Sequence, residues 1–427
     1  MTSPETKVIT LGCRLNAYES DIIRGHAKDS GLKNTVIVNT CAVTGEAVRQ
    51  SRQTIRRAHK ENPEAKIIVT GCAAQIDPEA FANIQGVDRV IGNHEKMLSS
   101  SFEPEALFGG TKIKVNDIMA VHETAPQLIS GGNRAPGKSQ SRTRAFLQVQ
   151  NGCDHRCTFC IIPYGRGPAR SVPAGEIVAH VRDLVRQGYG EVVLTGVDLS
   201  SWGGDLPGKP PLGDLVRRVL KLVPELPRLR LSSIDPAEVD EALFEALTTE
   251  PRMTPYVHLS LQAGENMILK RMKRRHSRED VISLCKRLKA KRPDITFGAD
   301  MIAGFPTEDE AMFETGKSII EEIGIAWLHV FPYSPREGTP AAKMPPVNGT
   351  IVKARAKALR GEGDAAKAVH IQSRIGDIDT ALFEDTGFGR LADFTLVKLD
   401  NPPAAGQFGR VKITGFNGDH AIGTLHE

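Results

Sequence analysis

Along the first hundred residues, short runs of β-branched and other apolar residues recur between longer stretches in which apolar positions return every three or four residues. KVITLG (7–12), TVIVNT (35–40), KIIVTG (66–71) and VDRVIG (87–92) read as strands. Helical patterns follow the first three, for example over 47–61. Such alternation predicts a parallel, doubly wound sheet whose ligand crevice lies at the carboxyl ends of the strands. A second series begins at Arg144, with strands expected in AFLQVQ (145–150), EVVLTG (191–196), RLRLSS (228–233), YVHLSL (256–261), TFGADMI (296–302) and AWLHVFPY (326–333). Helical spacing covers 174–187, 212–222, 237–247, 278–291 and 309–323 between them. Six consecutive βα units predict a partial (β/α)6 barrel, since a complete one uses eight.

Residues 123–144 are rich in Gly, Ser, Pro and basic residues and read as a linker. A basic helical stretch runs over 352–372, and from about residue 373 the chain alternates in short runs separated by Gly and Asn, the pattern of a small β-barrel module. The expected organisation is an α/β protein with a front domain at 1–110, a linker at 111–143, the barrel at 144–370 and the β module at 371–427.

Composition narrows the class. The chain has 427 residues, 40% of them apolar and 25% charged, as in ordinary globular proteins. Aromatic residues at 5% make β-sandwiches the less favoured alternative. A net charge of +4 permits an anionic partner without requiring one. The start, MTSPETKVITLGC, has no apolar signal core, and no run approaches the roughly 18 apolar residues of a membrane span. The expectation is a cytoplasmic protein with no membrane partner, in which seven cysteines serve metal or redox chemistry rather than disulfides.

Their placement supports this. Cys13, Cys41 and Cys72 each follow directly on one of the first three strands, so their thiols converge in the crevice of the front sheet. Each also precedes a helix, whose N-terminal end favours a thiolate. Cys153, Cys157 and Cys160 form a C-x3-C-x2-C loop after the first barrel strand. Zinc is one reading, with His155 as fourth ligand, although structural zinc sites pair two ligand halves and no second half lies nearby in the sequence. An iron–sulfur cluster is the other, and three thiolates would leave one iron open to a substrate or cofactor. Cys285, spaced with Val281, Leu284 and Leu288, reads as an inert core thiol.

The loop resembles that of the radical S-adenosylmethionine superfamily, down to the aromatic Phe159 before the last cysteine. GCDHRCTFCIIPYGRGPARSVP (152–173), VVLTGVDLSSWG (192–203), RLSSIDP (230–236), HLSLQAGENMILKRMKRRHSRED (258–280), DMIAGFPTEDEAMFE (300–314) and HVFPYSPREGTPAAKM (329–344) are similar to the methylthiotransferase family within it. So are LGCRLNAYESD (11–21), VNTCAVT (38–44) and VTGCAAQ (69–75) of the front domain. GFGRLADFTLVKLD (387–400) and GRVKITGF (409–416) resemble the TRAM-like RNA-binding β-barrel that ends these enzymes, without the aromatic expected near Arg390. The family's branches act on isopentenyladenosine in tRNA, on a ribosomal-protein aspartate, and on threonylcarbamoyladenosine at position 37 beside the anticodon. GCRLNAYES looks most like the third branch, and VLTGVDLSSWG resembles the same branch, with Asp198 where Asn is usual and Trp202 where Tyr is usual.

The resemblance implies methylthiolation of an unactivated aromatic C–H at C2 of threonylcarbamoyladenosine, with two [4Fe–4S] clusters and two S-adenosylmethionine per turnover. Cys153, Cys157 and Cys160 would hold the cluster that cleaves S-adenosylmethionine, and Cys13, Cys41 and Cys72 an auxiliary cluster that supplies sulfur. Phe159, Gly196, Asp198, Ser232, Ser233, Gln262, Gly304, Phe331 and Tyr333, at loop or strand ends, are the expected S-adenosylmethionine contacts. Lys270, Arg271, Lys273, Arg274, Arg275 and Arg278 form the densest basic run and are expected at RNA phosphates. Arg49, Arg52, Arg56, Arg57 and Lys60 recur on one helical face and read as solvated. Expected partners are the tRNA anticodon stem-loop, an electron donor such as flavodoxin or ferredoxin, and a sulfur source. A non-catalytic, metal-stabilised RNA-binding protein is the alternative of a different class.

Overall fold

The computed structural model describes residues 5–121, 143–384 and 386–426. Lys7–Thr10, Thr35–Thr40, Lys66–Gly71 and Val87–Ile91 lie side by side in that order, all parallel. Period-2 alternation divides their apolar residues between two faces. Val36, Val38, Ile67 and Val69 pack with Ile55 and Ala58 of helix Gly45–Glu61, while Ile37 and Ile68 pack with Ile23 and Ala27 of helix Arg14–Asp29. Helices therefore cover both faces of the sheet, as expected.

The front sheet has one more strand than the sequence announced. Ile113–Lys114 pairs in parallel with Val87–Ile91, fixed by Val90 N donating to Lys112 O at 2.9 Å and Gly92 N donating to Lys114 O at 3.0 Å. Segment 111–121, expected as linker, thus belongs to the front domain, because a two-residue strand is too short to leave a periodic signature. The rest of the expected linker, 122–142, lies outside the described residues.

Six parallel strands follow: Arg144–Gln148, Glu191–Thr195, Arg228–Leu231, Tyr256–Gln262, Thr296–Ala303 and Ile325–Pro332. The ladder is interrupted at Ser232 and resumes with Ser233–Ile234, which splits the barrel wall into three-stranded and four-stranded sheets. Helices form at Ala174–Arg186, Leu212–Leu222, Arg278–Lys291 and Glu310–Glu322, close to their expected bounds. The helix expected at 237–247 instead starts at Glu241 and runs to Thr249, because Asp240 accepts the Leu243 amide as an N-cap. Cys285 is buried in this core as expected, and burial pushes its thiol up to about 12. Helix Arg14–Asp29 of the front domain packs Tyr18 and Ile22 against the barrel core.

Helix Gly349–Ser373 leads into a closed five-stranded barrel made of Ile378–Phe383, Phe388–Arg390, Leu396–Lys398, Phe408–Phe416 and Ala421–Leu425. This module docks where the strands of the large barrel begin. Arg228 donates to Thr380 O at 2.9 Å, Arg230 to Ala392 O at 3.0 Å and Trp327 Nε1 to Asp393 O at 3.1 Å. Phe394, held at φ +81°, stacks on Tyr256 with ring centroids 5.1 Å apart. The guanidinium groups of Arg14, Arg144, Arg230 and Arg390 ring it at 4.6–5.9 Å.

Candidate active site

The cysteine loop leaves the first barrel strand through a tight device. Gln150–Asn151 pairs antiparallel with Arg170–Ser171, and Cys153 N donates to Gly167 O at 3.1 Å. Gly152 sits at φ +73°, where any side chain is strained. The loop's middle is pinned by Thr158, whose amide donates to Met272 O at 3.1 Å and whose hydroxyl donates to Arg271 O at 2.8 Å. Burial pushes the Cys160 thiol up to about 11, and burial with the Asp198 carboxylate beside it also raises Cys153. Metal binding at such thiols therefore releases protons.

His155 does not complete a zinc site with these thiols. Its Nε2 lies 2.9 Å from Asp198 Oδ2 and 3.7 Å from Glu238 Oε1. Hydrogen bonds to Asp198 and Glu238 raise it to about 10, so its ring is engaged by two carboxylates rather than by the thiols. Three thiols with no fourth ligand grouped with them among the described residues fit an iron–sulfur cluster with one open iron better than a closed zinc site.

The expected S-adenosylmethionine contacts fall at the strand ends around this loop. Asp198 is held by Gln150 Oε1 on its amide at 2.9 Å and by Ser201 Oγ on its carboxylate at 2.8 Å, and lies 3.5 Å from Cys153 Sγ. Gly196 packs against Gln150, where an added Cβ would lie 2.9 Å from Oε1. Ser232 marks the break in the wall, with Ser233 beginning the next segment. Gln262 ends the fourth strand at φ +69°, and Gly304 follows the fifth at φ +72°, donating its amide to Glu308 at 2.8 Å. Phe331 is exposed, while Phe159 and Tyr333 both pack edge-on to Phe305. Ser232 Oγ and Tyr333 OH are buried without a hydrogen-bond partner among the described residues, which suits two groups awaiting a polar ligand.

The front trio lies just past the carboxyl ends of the first three strands of the front sheet. Cys41 and Cys72 are buried and Cys13 is exposed, and burial raises Cys41 to about 11, with the neighbouring Cys72 and Cys13 adding to it. Gly71 holds φ +97°, and a Cβ there would meet Thr40 backbone atoms at 2.3–2.4 Å. Toward Cys72 the barrel sends Arg166, from the short helix Ile162–Arg166 that follows Cys160. Its Nε donates to Cys72 Sγ at 3.0 Å, NH2 donates to Asn16 Oδ1 at 2.5 Å, and the guanidinium pairs with Glu19. Lys96 pairs with the same Glu19 at 2.6 Å. Sequence reading missed Arg166, Glu19 and Lys96. The signal was present in GCRLNAYES and PYGRG, but only the fold shows that these motifs grip each other.

The basic run divides. Lys270 and Lys273 are exposed. Arg271 donates to Thr307 O at 3.1 Å. Arg274 donates to Ser260 O at 2.8 Å and to Asp235 at 3.0 Å, and approaches Cys157 Sγ at 3.6 Å. Arg275 pairs with Glu238 at 2.6 Å and Asp235 at 2.9 Å. Arg278 donates to Gly264 O at 2.8 Å and Thr315 O at 2.9 Å and pairs with Glu322. Of the six residues expected at RNA phosphates, the four arginines thus already have acceptors from neighbouring segments, while the two lysines are exposed. On the first-domain helix, Arg49 pairs with Glu46, as a solvated face does. A further group escaped the sequence: His258 and His329 both lie 3.1 Å from Asp300 Oδ1, with Tyr256 OH 2.9 Å from His258 Nδ1.

Residues 147–315 match the radical SAM superfamily, and residues 5–92 match the uncharacterized protein family UPF0004. The chain is 53% identical over 409 residues to the threonylcarbamoyladenosine tRNA methylthiotransferase MtaB of Rickettsia prowazekii, covering 96% of this chain and 94% of that one. The chain belongs to the radical S-adenosylmethionine methylthiotransferase family. It is 36% identical to the MtaB of Aquifex aeolicus over 82% of this chain and 86% of that one. It is 32% identical to the tRNA-2-methylthio-N(6)-dimethylallyladenosine synthase of Shouchella clausii over 95% of this chain and 80% of that one. The fold matches a solved radical S-adenosylmethionine methyltransferase, TsrM of Kitasatospora setae, with a TM-score of 0.57 at 16% identity, over 80% of this chain and 75% of that one. As a radical S-adenosylmethionine methylthiotransferase the protein is a transferase, and the superfamily brings with it a [4Fe–4S] cluster and S-adenosylmethionine. Among the described residues no helix is long and apolar enough to cross a membrane.

Proposed function

We propose that the protein methylthiolates C2 of N6-threonylcarbamoyladenosine at position 37 of tRNA, using a [4Fe–4S] cluster at each cysteine trio and two S-adenosylmethionine per turnover. The observation that carries the substrate is the 53% identity, over nearly the whole chain, to a relative named for threonylcarbamoyladenosine, against 32% to one named for the dimethylallyl substrate. Cytoplasmic location follows from such a substrate.

Cys153, Cys157 and Cys160 hold the first cluster, which when bound supplies an electron for the homolytic cleavage of S-adenosylmethionine. Asp198, fixed by Ser201 and Gln150, offers a carboxylate to the cofactor's amino group beside Cys153. Ser232 and Gln262 stand at strand ends for its polar groups, and the Gly304 turn lets the backbone approach. Phe331 and Tyr333 line the adenine side. Cys13, Cys41 and Cys72 hold the auxiliary cluster from which sulfur is delivered. Packing of the front domain on the barrel, through Tyr18 and Ile22, brings the two cysteine-bearing domains together. Lys270 and Lys273, with the C-terminal module, contact the anticodon stem-loop. A flavodoxin or ferredoxin supplies electrons, and a separate source replaces the sulfur.

Nucleoside mass spectrometry of tRNA from cells lacking the gene tests the substrate. The 2-methylthio derivative of threonylcarbamoyladenosine is expected to disappear and to return on complementation. Its persistence, with loss of the isopentenyl derivative instead, would reassign the branch. Iron analysis tests the clusters: anaerobically reconstituted protein is expected to hold about eight irons, and a Cys13/Cys41/Cys72→Ala variant about four. Four in both would remove the auxiliary cluster from the scheme.

A further inference from the structure

We propose that Arg166 is a positioning residue for the sulfur-supplying site: it fixes the front trio against the radical-generating loop and raises the electron affinity of whatever the trio holds. The inference rests on the reading that Cys13, Cys41 and Cys72 carry a cluster.

Arg166 reaches across the domain boundary and is fully buried there. Its donors are shared between Cys72 Sγ at 3.0 Å, Asn16 Oδ1 at 2.5 Å, and both oxygens of Glu19. A planar fork with this many fixed acceptors holds one orientation, which a lysine could not reproduce. The acceptors are themselves locked. Asn16 Nδ2 donates to Leu11 O at 2.7 Å and to Thr40 O at 3.0 Å, and Glu19 takes Lys96 at 2.6 Å. On the barrel side, Asn93 Nδ2 donates to Gly165 O at 2.5 Å, and a Cβ on Gly165 would sit 3.3 Å from the Cβ and carbonyl oxygen of Cys72. The six residues from Cys160 to Arg166 span at most about 20 Å even fully extended, so the two thiol sites are tethered at short range.

Charge gives the second half of the inference. Arg166 and Lys96 share one carboxylate, so this hydrogen-bonded set is net positive in a water-free place. A [4Fe–4S] core on three thiolates is net negative, and hydrogen bonds and charge at its sulfur ligands set its potential. A guanidinium donating to Cys72 Sγ stabilises the reduced, more negative state most. It also favours an anionic sulfur on the open iron.

The test uses full-length protein in the Cys153/Cys157/Cys160→Ala background, so that only the front trio contributes signal. Arg166→Gln is expected to lower the reduced-to-oxidised ratio of the auxiliary cluster at least tenfold at a fixed poise, a shift of about 59 mV toward more negative potential. Its EPR line shape in the reduced state is expected to change as well. Arg166→Lys, which keeps the charge and loses the fork, is expected to restore most of the potential but not the line shape. Wild-type potential and line shape in Arg166→Gln would overturn the proposal. Should Arg166→Gln fail to fold, an Arg166→Lys protein with wild-type line shape would overturn it equally. Absence of any iron in the parent background would instead remove the auxiliary cluster itself, a different failure.

Discussion

Glu191→Gln is expected to destabilise the protein by about 3–5 kcal/mol, because it leaves buried guanidinium groups without their counter-charge. Glu191 begins the second barrel strand and is fully buried. Arg230 Nε donates to it at 2.7 Å and Arg228 at 3.3 Å. Both arginines also donate to backbone carbonyls of the C-terminal module, so the carboxylate anchors two barrel strands and the module at once. Burial alone would raise this carboxyl; the Arg230 charge and hydrogen bond, with Arg228 and Arg144, reverse that and hold it at about 2, below the ordinary 4.5. A lowered carboxyl contributes stability that is present above the unfolded value and lost as pH falls toward the folded one. The difference between wild type and Glu191→Gln is therefore expected to be complete above about pH 5 and to shrink between 4.5 and about 2. Denaturant titrations across that range measure it, and a difference below about 1 kcal/mol at neutral pH would contradict the argument.

The second large effect is expected at Gly152. A Cβ there would lie 1.8 Å from Pro168 O and 2.7 Å from Gly167 O, and φ is +73°. Gly167 O accepts the Cys153 amide, so a methyl group pushes apart the contact that sets the first thiol of the loop. Gly152→Ala is expected to lose iron from the barrel site, leaving about four irons on the front trio. Reductive cleavage of S-adenosylmethionine is expected to fall by about 100-fold or more, the cost of misplacing a reacting centre by roughly 1 Å. Full iron content with a cleavage rate within about twofold of wild type would show that the loop adapts.

Most of the architecture was legible because its elements are strongly periodic. Thr35–Thr40, Lys66–Gly71, Leu212–Leu222 and Arg278–Lys291 form where spacing placed them. The places of the six cysteines were legible because Cys13, Cys41 and Cys72 each follow a strand of the front sheet, and Cys153, Cys157 and Cys160 follow the first barrel strand. Ile113–Lys114 was not, being too short for a pattern and held by the neighbouring strand. The partners of Arg274 and Arg278 were not legible for another reason. A run of cations in sequence says nothing about acceptors, and here Asp235 and Glu322 arrive from distant segments. The Arg166 contacts depend on pairs up to 150 positions apart, beyond any local signal.

Phe394 bears on how deletion experiments are interpreted. Its ring is the floor of the large barrel, stacked on Tyr256 and surrounded by arginines from three parts of the chain. Cutting the chain before residue 378 therefore removes more than the small barrel: it takes the Phe394 ring off Tyr256 and strands Arg228 and Arg230 without their carbonyl acceptors. A truncated protein that loses activity has not thereby lost only the proposed contact with tRNA. Separating the two requires changes confined to the module's outer face, such as the exposed Lys398 and Lys412, with Phe394 left in place.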